Sequence, residues 1–150
     1  LDVLVRSEHF MALDQVAEAI PSLRIVINHI GHVPIDGTAP DPSWVDHINR
    51  VAARDQVYMK VSALMEQNTT YPASEELGFY APTLEAMWQA FGEDRLIYGS
   101  NWPVCERAGS FKAAQGIVKN YFEAKGQEAA EKYFWKNAQA VYKWGGTTNR

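Results

Sequence analysis

The sequence predicts an α/β fold with parallel strands, on three observations. Strand-like and helix-like stretches alternate along the chain, the segments between strands are long enough to carry a helix, and polar residues gather where the strands end. Crossovers of this length make neighbouring strands parallel and cover the sheet with helices. Right-handed crossovers then leave two architectures, an open doubly wound sheet or four of the eight units of a (β/α)8 TIM barrel. Periodicity alone does not choose between them.

Leu1–Val5 (LDVLV) is the first strand signal. Phe10, Leu13, Val16, Ala17 and Ile20 follow at spacings of three and four, which predicts a helix over Phe10–Ile20, stopped by Pro21. Leu23–Ile30 (LRIVINHI) is rich in β-branched residues and reads as the second strand. Gly31, Pro34, Gly37 and Pro40 mark a loop, and Ser43 is the expected N-cap of a helix over Trp44–Arg54. The third strand is Val57–Leu64 (VYMKVSAL), and a long loop runs from Met65 to about Pro82. A helix over Thr83–Phe91 stops at Gly92, and Arg95–Ser100 (RLIYGS) is the fourth strand. Helices over Ser110–Lys125 and Gln127–Trp144 complete the pattern, the last ending at Gly145-Gly146.

Composition narrows the function classes. Hydrophobic residues make up 47% and charged residues 21%, enough apolar material for a core and too much for a disordered chain. A net charge of −4 with no Lys/Arg cluster gives no phosphate-binding stripe, so no nucleic-acid partner is expected. No apolar run reaches the length of a membrane span, so no membrane partner is expected. Cys105 is the only cysteine, which rules out an internal disulfide and makes a reducing, cytoplasmic setting the default. The chain opens directly on a strand at Leu1, which reads as a fragment, or a processed chain, whose missing part lies upstream. The small-molecule site expected of either architecture leaves room for a homo-oligomer.

In both architectures the ligand lies beyond the C-terminal ends of the strands. Arg6, Ser7, Glu8 and His9 follow the first strand, Asn28 and His29 end the second, Lys60 and Ser62 end the third, and Asn101 and Trp102 follow the fourth. Alternation puts Val57, Met59 and Val61 on one face of the third strand and Tyr58, Lys60 and Ser62 on the other, the second set suiting a barrel mouth. In the second strand Ile25, Ile27 and His29 share a face, which aims His29 inward. Each signal has a plainer reading: His29 as a core histidine, Lys60 snorkelling from an edge, Asn101 shaping a turn before Trp102-Pro103. The motifs HExxH, paired CxxC and GxGxxG are absent.

Three segments shift this balance. Leu23–Pro34 (LRIVINHIGHVP), Val57–Leu64 (VYMKVSAL) and Phe91–Cys105 (FGEDRLIYGSNWPVC) resemble the amidohydrolase-related metal-dependent hydrolases, nearest to the sugar-lactone and dicarboxylate-lactone hydrolases; Phe134–Tyr142 (FWKNAQAVY) is similar to that family's closing helix. The resemblance implies a (β/α)8 barrel of which residues 1–150 are the C-terminal half, strands five to eight. It implies that His29 matches the histidine ending strand six, that Arg6 stands near a position held by histidine in metal-binding relatives, and that Asn101 replaces the usual aspartate of Gly-Ser-Asp-Trp-Pro. A carboxamide has no proton to exchange near neutral pH and is a poor metal ligand. No metal site is therefore expected from these residues, and a divalent metal such as zinc only if the missing N-terminal half supplies ligands. The implied reaction is water attack on the carbonyl of a lactone or similar cyclic ester. His29 would polarise the carbonyl or hold the water, Lys60 would bind a carboxylate or oxyanion, and Asn101 would orient. Ser62, Arg6 and Trp102 would contact substrate. The loop carrying Glu66 and Tyr71 would close over it, with Glu66 a candidate replacement base. The alternative is a catalytically impaired barrel that binds a small ligand.

Overall fold

The computed structural model describes residues 1–143. Four parallel strands, β1 (Asp2–Val3), β2 (Ile25–Ile27), β3 (Val57–Val61) and β4 (Leu96–Tyr98), form one sheet in the order β1-β2-β3-β4. The register pairs Val3 with Ile27, Ile27 with Met59, and Met59 with Leu96. Cross-strand partners share a face, so Val3, Ile25, Ile27, Val57, Met59, Val61, Leu96 and Tyr98 form a single apolar surface.

Helices α1 (Phe10–Ala19), α2 (Pro42–Ala52), α3 (Leu77–Phe91) and α4 (Phe111–Lys125) pack in succession over that surface. Phe10, Trp44, Ile48, Tyr80, Leu84, Met87 and Phe122 close the core with the strand residues. The opposite face carries Val26 and Ile97, covered by Val141 with Tyr58, Ala138 and Tyr142. The chain thus covers part of its second face with its own last helix.

Two helices differ from expectation. α3 starts at Leu77, before Pro82, and takes that proline inside it. Pro82 removes one hydrogen bond near the helix start, which burial of Tyr80, Thr83, Leu84, Met87 and Phe91 along one stripe outweighs. The expected last helix is divided into α5 (Gln127–Glu131), a π-turn over Lys132–Lys136, and α6 (Asn137–Tyr142); Trp144 and Gly145-Gly146 lie outside the described residues. The π-turn buries Tyr133, whose hydroxyl donates to the Val61 carbonyl at 2.9 Å and whose ring stacks on Phe122 at 3.6 Å between centroids. A third difference is the cap of α2. The Asp41 carboxylate accepts from the Ser43 amide at 2.7 Å, so the cap is Asp41 with Pro42 first in the helix, where its missing N–H costs nothing.

Asn137 fastens α6 to the sheet. Its side-chain amide donates to the carbonyls of Glu93 and Leu96, both at 2.8 Å, and the residue is 4% exposed. Asn137→Ala leaves both carbonyls without that donor in a buried setting, and the expected loss is about 1–3 kcal/mol of unfolding free energy. Denaturant titration of the two proteins checks this; an unchanged midpoint would mean that α6 is held by apolar contact alone.

Candidate active site

The strand exits share an unusual backbone. His29, Ile30 and His32 follow β2 with φ of 53°, 51° and 54°, Ala63 follows β3 at 57°, and Asn101 follows β4 at 53°. These are five of the six non-glycine residues with positive φ among the described residues. The left-handed region costs L-residues of order 1–3 kcal/mol, and such residues cluster at functional sites. Gly31 completes the turn at φ 62°, where a Cβ would come within 2.4 Å of the Phe10 ring, so only glycine fits.

This backbone separates His29 from Ile25 and Ile27, with which it was expected to share a face, and still aims it inward. Ile25 and Ile27 do not face the mouth: they are completely buried under the helices. His29 leaves that alternation because its own φ turns the chain, and its Nδ1 lies 2.8 Å from the Ser62 hydroxyl oxygen. Ser62 continues the Tyr58–Lys60 face, as alternation predicts, and is 3% exposed. Gly99 stands beside it, and a Cβ there would lie 2.9 Å from Ser62 Cβ and 3.1 Å from Lys60 Cδ. Gly99 is therefore small so that the side chains of β3 can cross β4.

Asn101 meets a second residue of the β3 exit. Its side-chain N–H donates to Glu66 Oε1 at 2.6 Å. Glu66 sits in a 3-10 turn over Met65–Gln67 within the expected loop. That turn is tied to the β2 exit: the Ile35 amide donates to the Gln67 carbonyl at 2.8 Å, and the Thr69 amide donates to the Ile35 carbonyl at 2.9 Å. His32, which sequence reasoning passed over, lies with its ring 5.7 Å from that of His29 and its Nδ1 3.4 Å from the Gln67 amide nitrogen. The signal for it was present, two histidines three apart in a glycine-bearing turn.

The remaining expected site residues are more dispersed. Lys60 projects from the same face as Ser62, but its ammonium donates to Asp2 Oδ1 at 2.8 Å, and Asp2 also accepts from the Tyr142 hydroxyl at 2.7 Å. Burial pulls the Lys60 ammonium down, yet the bonds to Asp2 and Tyr142 outweigh it and hold the net value above the usual lysine range. Arg6 is exposed on an open cleft of about 460 Å³ that also takes in Leu4, Glu8, His9 and His32. Trp102 is 62% exposed, its indole N–H donating to Glu106 at 3.3 Å, and Tyr71 is 85% exposed. Thus His29 with Ser62, and Asn101 with Glu66, converge on the β3 exit, while Arg6 and Trp102 stand at the rim.

A metal centre does not assemble from these donors alone. Among the described residues no group of three or more His, Cys, Asp or Glu side chains is placed to hold an ion. One nitrogen of His29 is engaged by Ser62, and the third position on this rim is a carboxamide. Metal ligation here would need further donors from outside residues 1–143.

Residues 1–144 match the sequence model of the amidohydrolase family. The chain is 36% identical over 110 residues to L-fucono-1,5-lactonase of Burkholderia ambifaria, covering 73% of this chain and 37% of that protein. It is 23% identical over 148 residues to L-rhamnono-gamma-lactonase of Scheffersomyces stipitis, covering 85% and 43%. The chain spans about two fifths of the length of the curated relatives it matches. Among solved structures it is similar to an amidohydrolase of Burkholderia multivorans with bound HEPES, at a TM-score of 0.84 and 23% identity over 95% of this chain and 52% of that one. A zinc-bound crystal form of an amidohydrolase from the same organism gives 0.82. These likenesses settle the architecture: the four-stranded sheet is part of a TIM barrel.

Burial holds the His29 imidazole below its usual range, with His32 and Lys60 adding to the effect. A histidine with a lowered folded-state value binds its proton more weakly than the unfolded chain does, so its share of stability is present above about pH 6.5 and falls as pH drops through that value. NMR titration is expected to place His29 below 6.5, and His29→Asn to lessen the acid-induced loss of stability. A midpoint at or above 6.5 would contradict the burial argument.

Proposed function

The chain belongs to the amidohydrolase family, and from that membership we propose that residues 1–150 are the C-terminal half of a barrel that hydrolyses a lactone or similar cyclic ester. The observation that carries the reading is the convergence of His29–Ser62 and Asn101–Glu66 on one strand exit, at the end of a parallel sheet where such folds bind ligands. Relatives named as sugar lactonases support the substrate class.

Water attacks the lactone carbonyl carbon, negative charge gathers on the carbonyl oxygen, and the ring C–O bond breaks to give a hydroxy acid. His29 is held with one nitrogen against Ser62, so its other nitrogen serves the carbonyl or the water. Its lowered affinity for protons keeps it neutral at pH 7, able to accept or donate one hydrogen bond. Asn101 orients without exchanging protons. Lys60 supplies positive charge on the same face, and its ammonium has three N–H donors, one of them held by Asp2. Arg6 and Trp102 contact the substrate from the rim. Zinc enters this scheme only with ligands from elsewhere in a longer chain, and no step is routed through it. Among the described residues no helix is long and apolar enough to cross a membrane, and the single thiol, Cys105, is buried, in keeping with a cytoplasmic setting.

Residues 1–150 alone are expected to show negligible lactonase activity, so the reading is tested on the barrel with its N-terminal half supplied, by a panel of sugar lactones and dicarboxylate lactones followed by base uptake at constant pH. At least one is expected to be hydrolysed, and His29→Asn, which suits the left-handed backbone, is expected to lower kcat/KM by about 10²-fold or more. No turnover across the panel, or full activity in His29→Asn, would contradict it.

A further inference from the structure

We propose that Glu66 is the proton acceptor for the attacking water and that Asn101 is the residue that positions it. This rests on the lactone-hydrolase reading and assigns a role that Asn101 cannot fill, since a carboxamide takes no proton at working pH. The 2.6 Å bond from Asn101 to Glu66 Oε1 uses one carboxylate oxygen for alignment and leaves the other for water.

The carboxylate is built in rather than loose. Its 3-10 turn closes through the Gln67 amide to the Leu64 carbonyl and the Asn68 amide to the Met65 carbonyl, both at 3.2 Å. Met65 beside it is 1% exposed and packs so closely on Gly109 that a Cβ there would come within 2.3 Å of its methyl carbon. Glu66 lines a small cavity with Ser62, Gly99 and Ser100, and also an open groove with Thr69, Tyr71 and Arg107. It therefore stands between the buried Ser62 end of the site and solvent, where a hydrolytic water must enter. Two other carboxylates near the sheet are engaged elsewhere, Asp2 with Lys60 and Glu106 with the Trp102 indole, while Glu8 lines the cleft beside Arg6 at the β1 exit. The titratable groups facing Glu66 are Tyr71 of the same loop, Tyr80 of α3, Tyr98 of β4, and Cys105 and Arg107 beyond it.

The step balances without an outside reagent. The water oxygen bonds to the carbonyl carbon as its proton passes to Glu66 and the carbonyl π pair moves to oxygen. Collapse of the tetrahedral intermediate breaks the ring C–O bond, and Glu66 returns the proton to the departing ring oxygen. The product is a hydroxy acid, and nothing is oxidised or reduced.

The test is kinetics of Glu66→Gln, Asn101→Asp and Asn101→Leu on whichever lactone the wild type hydrolyses. Glu66→Gln is expected to lower kcat by about 10²–10⁴-fold with KM little changed. Asn101→Leu is expected to lower kcat more than KM affinity. Asn101→Asp sets a second carboxylate against Glu66, and like charges this close raise one ionisation, so the acid limb of its pH–rate profile is expected to move upward by more than a unit. Activity of Glu66→Gln within threefold of wild type overturns the proposal. So does Asn101→Asp with a higher kcat and an unmoved acid limb, since the aspartate is then the base. Should the wild type hydrolyse no lactone, the reading of the substrate class fails separately; carboxyl NMR then reads the pair, and a Glu66 titration that does not move in Asn101→Asp overturns it.

Discussion

The alternation of β3 is the constraint on which both the core and the mouth depend. It is paired on both sides, and its residues Val57, Met59 and Val61 are completely buried under the helices while Lys60 and Ser62 take the other face. A slip of one residue would exchange the two sets, wetting three apolar side chains worth roughly 1.5–3 kcal/mol each and burying an ammonium. The same strand leads directly into Ser62 and Glu66, the partners of His29 and Asn101. Core burial therefore also fixes the two hydrogen bonds of the site.

The exits of β2, β3 and β4 hold left-handed residues against their intrinsic preference. Ile30 shows how this is sustained. A β-branched residue at φ 51° is costly, yet its side chain is completely buried, and burial of that size offsets a strain of about 1–3 kcal/mol. Because strain and burial oppose each other within one short turn, His29 and His32 are held in place by packing around Ile30 and Gly31 rather than by their own contacts alone.

Much of the architecture was legible in the sequence: the four strands, their parallel order and the helix-facing set on β3 all follow from period-two and helical spacing. The N-cap at Asp41 and the start of α3 at Leu77 were not, because local caps and prolines are weak signals against burial of Tyr80 and Leu84. The π-turn at Lys132–Lys136 depends on a tertiary partner for Tyr133. For the candidate site, strand-end position singled out His29, Ser62 and Asn101, which the structure places at the exits of β2, β3 and β4. The face that Ile25 and Ile27 were expected to share with His29 was misread, because alternation assumes extended backbone and positive φ at a histidine leaves no mark in composition. The Lys60–Asp2 pair joins residues 58 positions apart and is visible only once the strands are in register.

The proposed site joins the exits of three strands, with β3 supplying the partners for both neighbours. Amide NMR of the protein titrated with a lactam, a non-hydrolysed analogue of the cyclic ester, tests it most directly. Saturable shifts at His29, Ser62, Glu66 and Asn101 together, with one dissociation constant, are the expected result. Shifts confined to the other end of the sheet, around Val57 and Arg95, with those four residues unmoved, would contradict it.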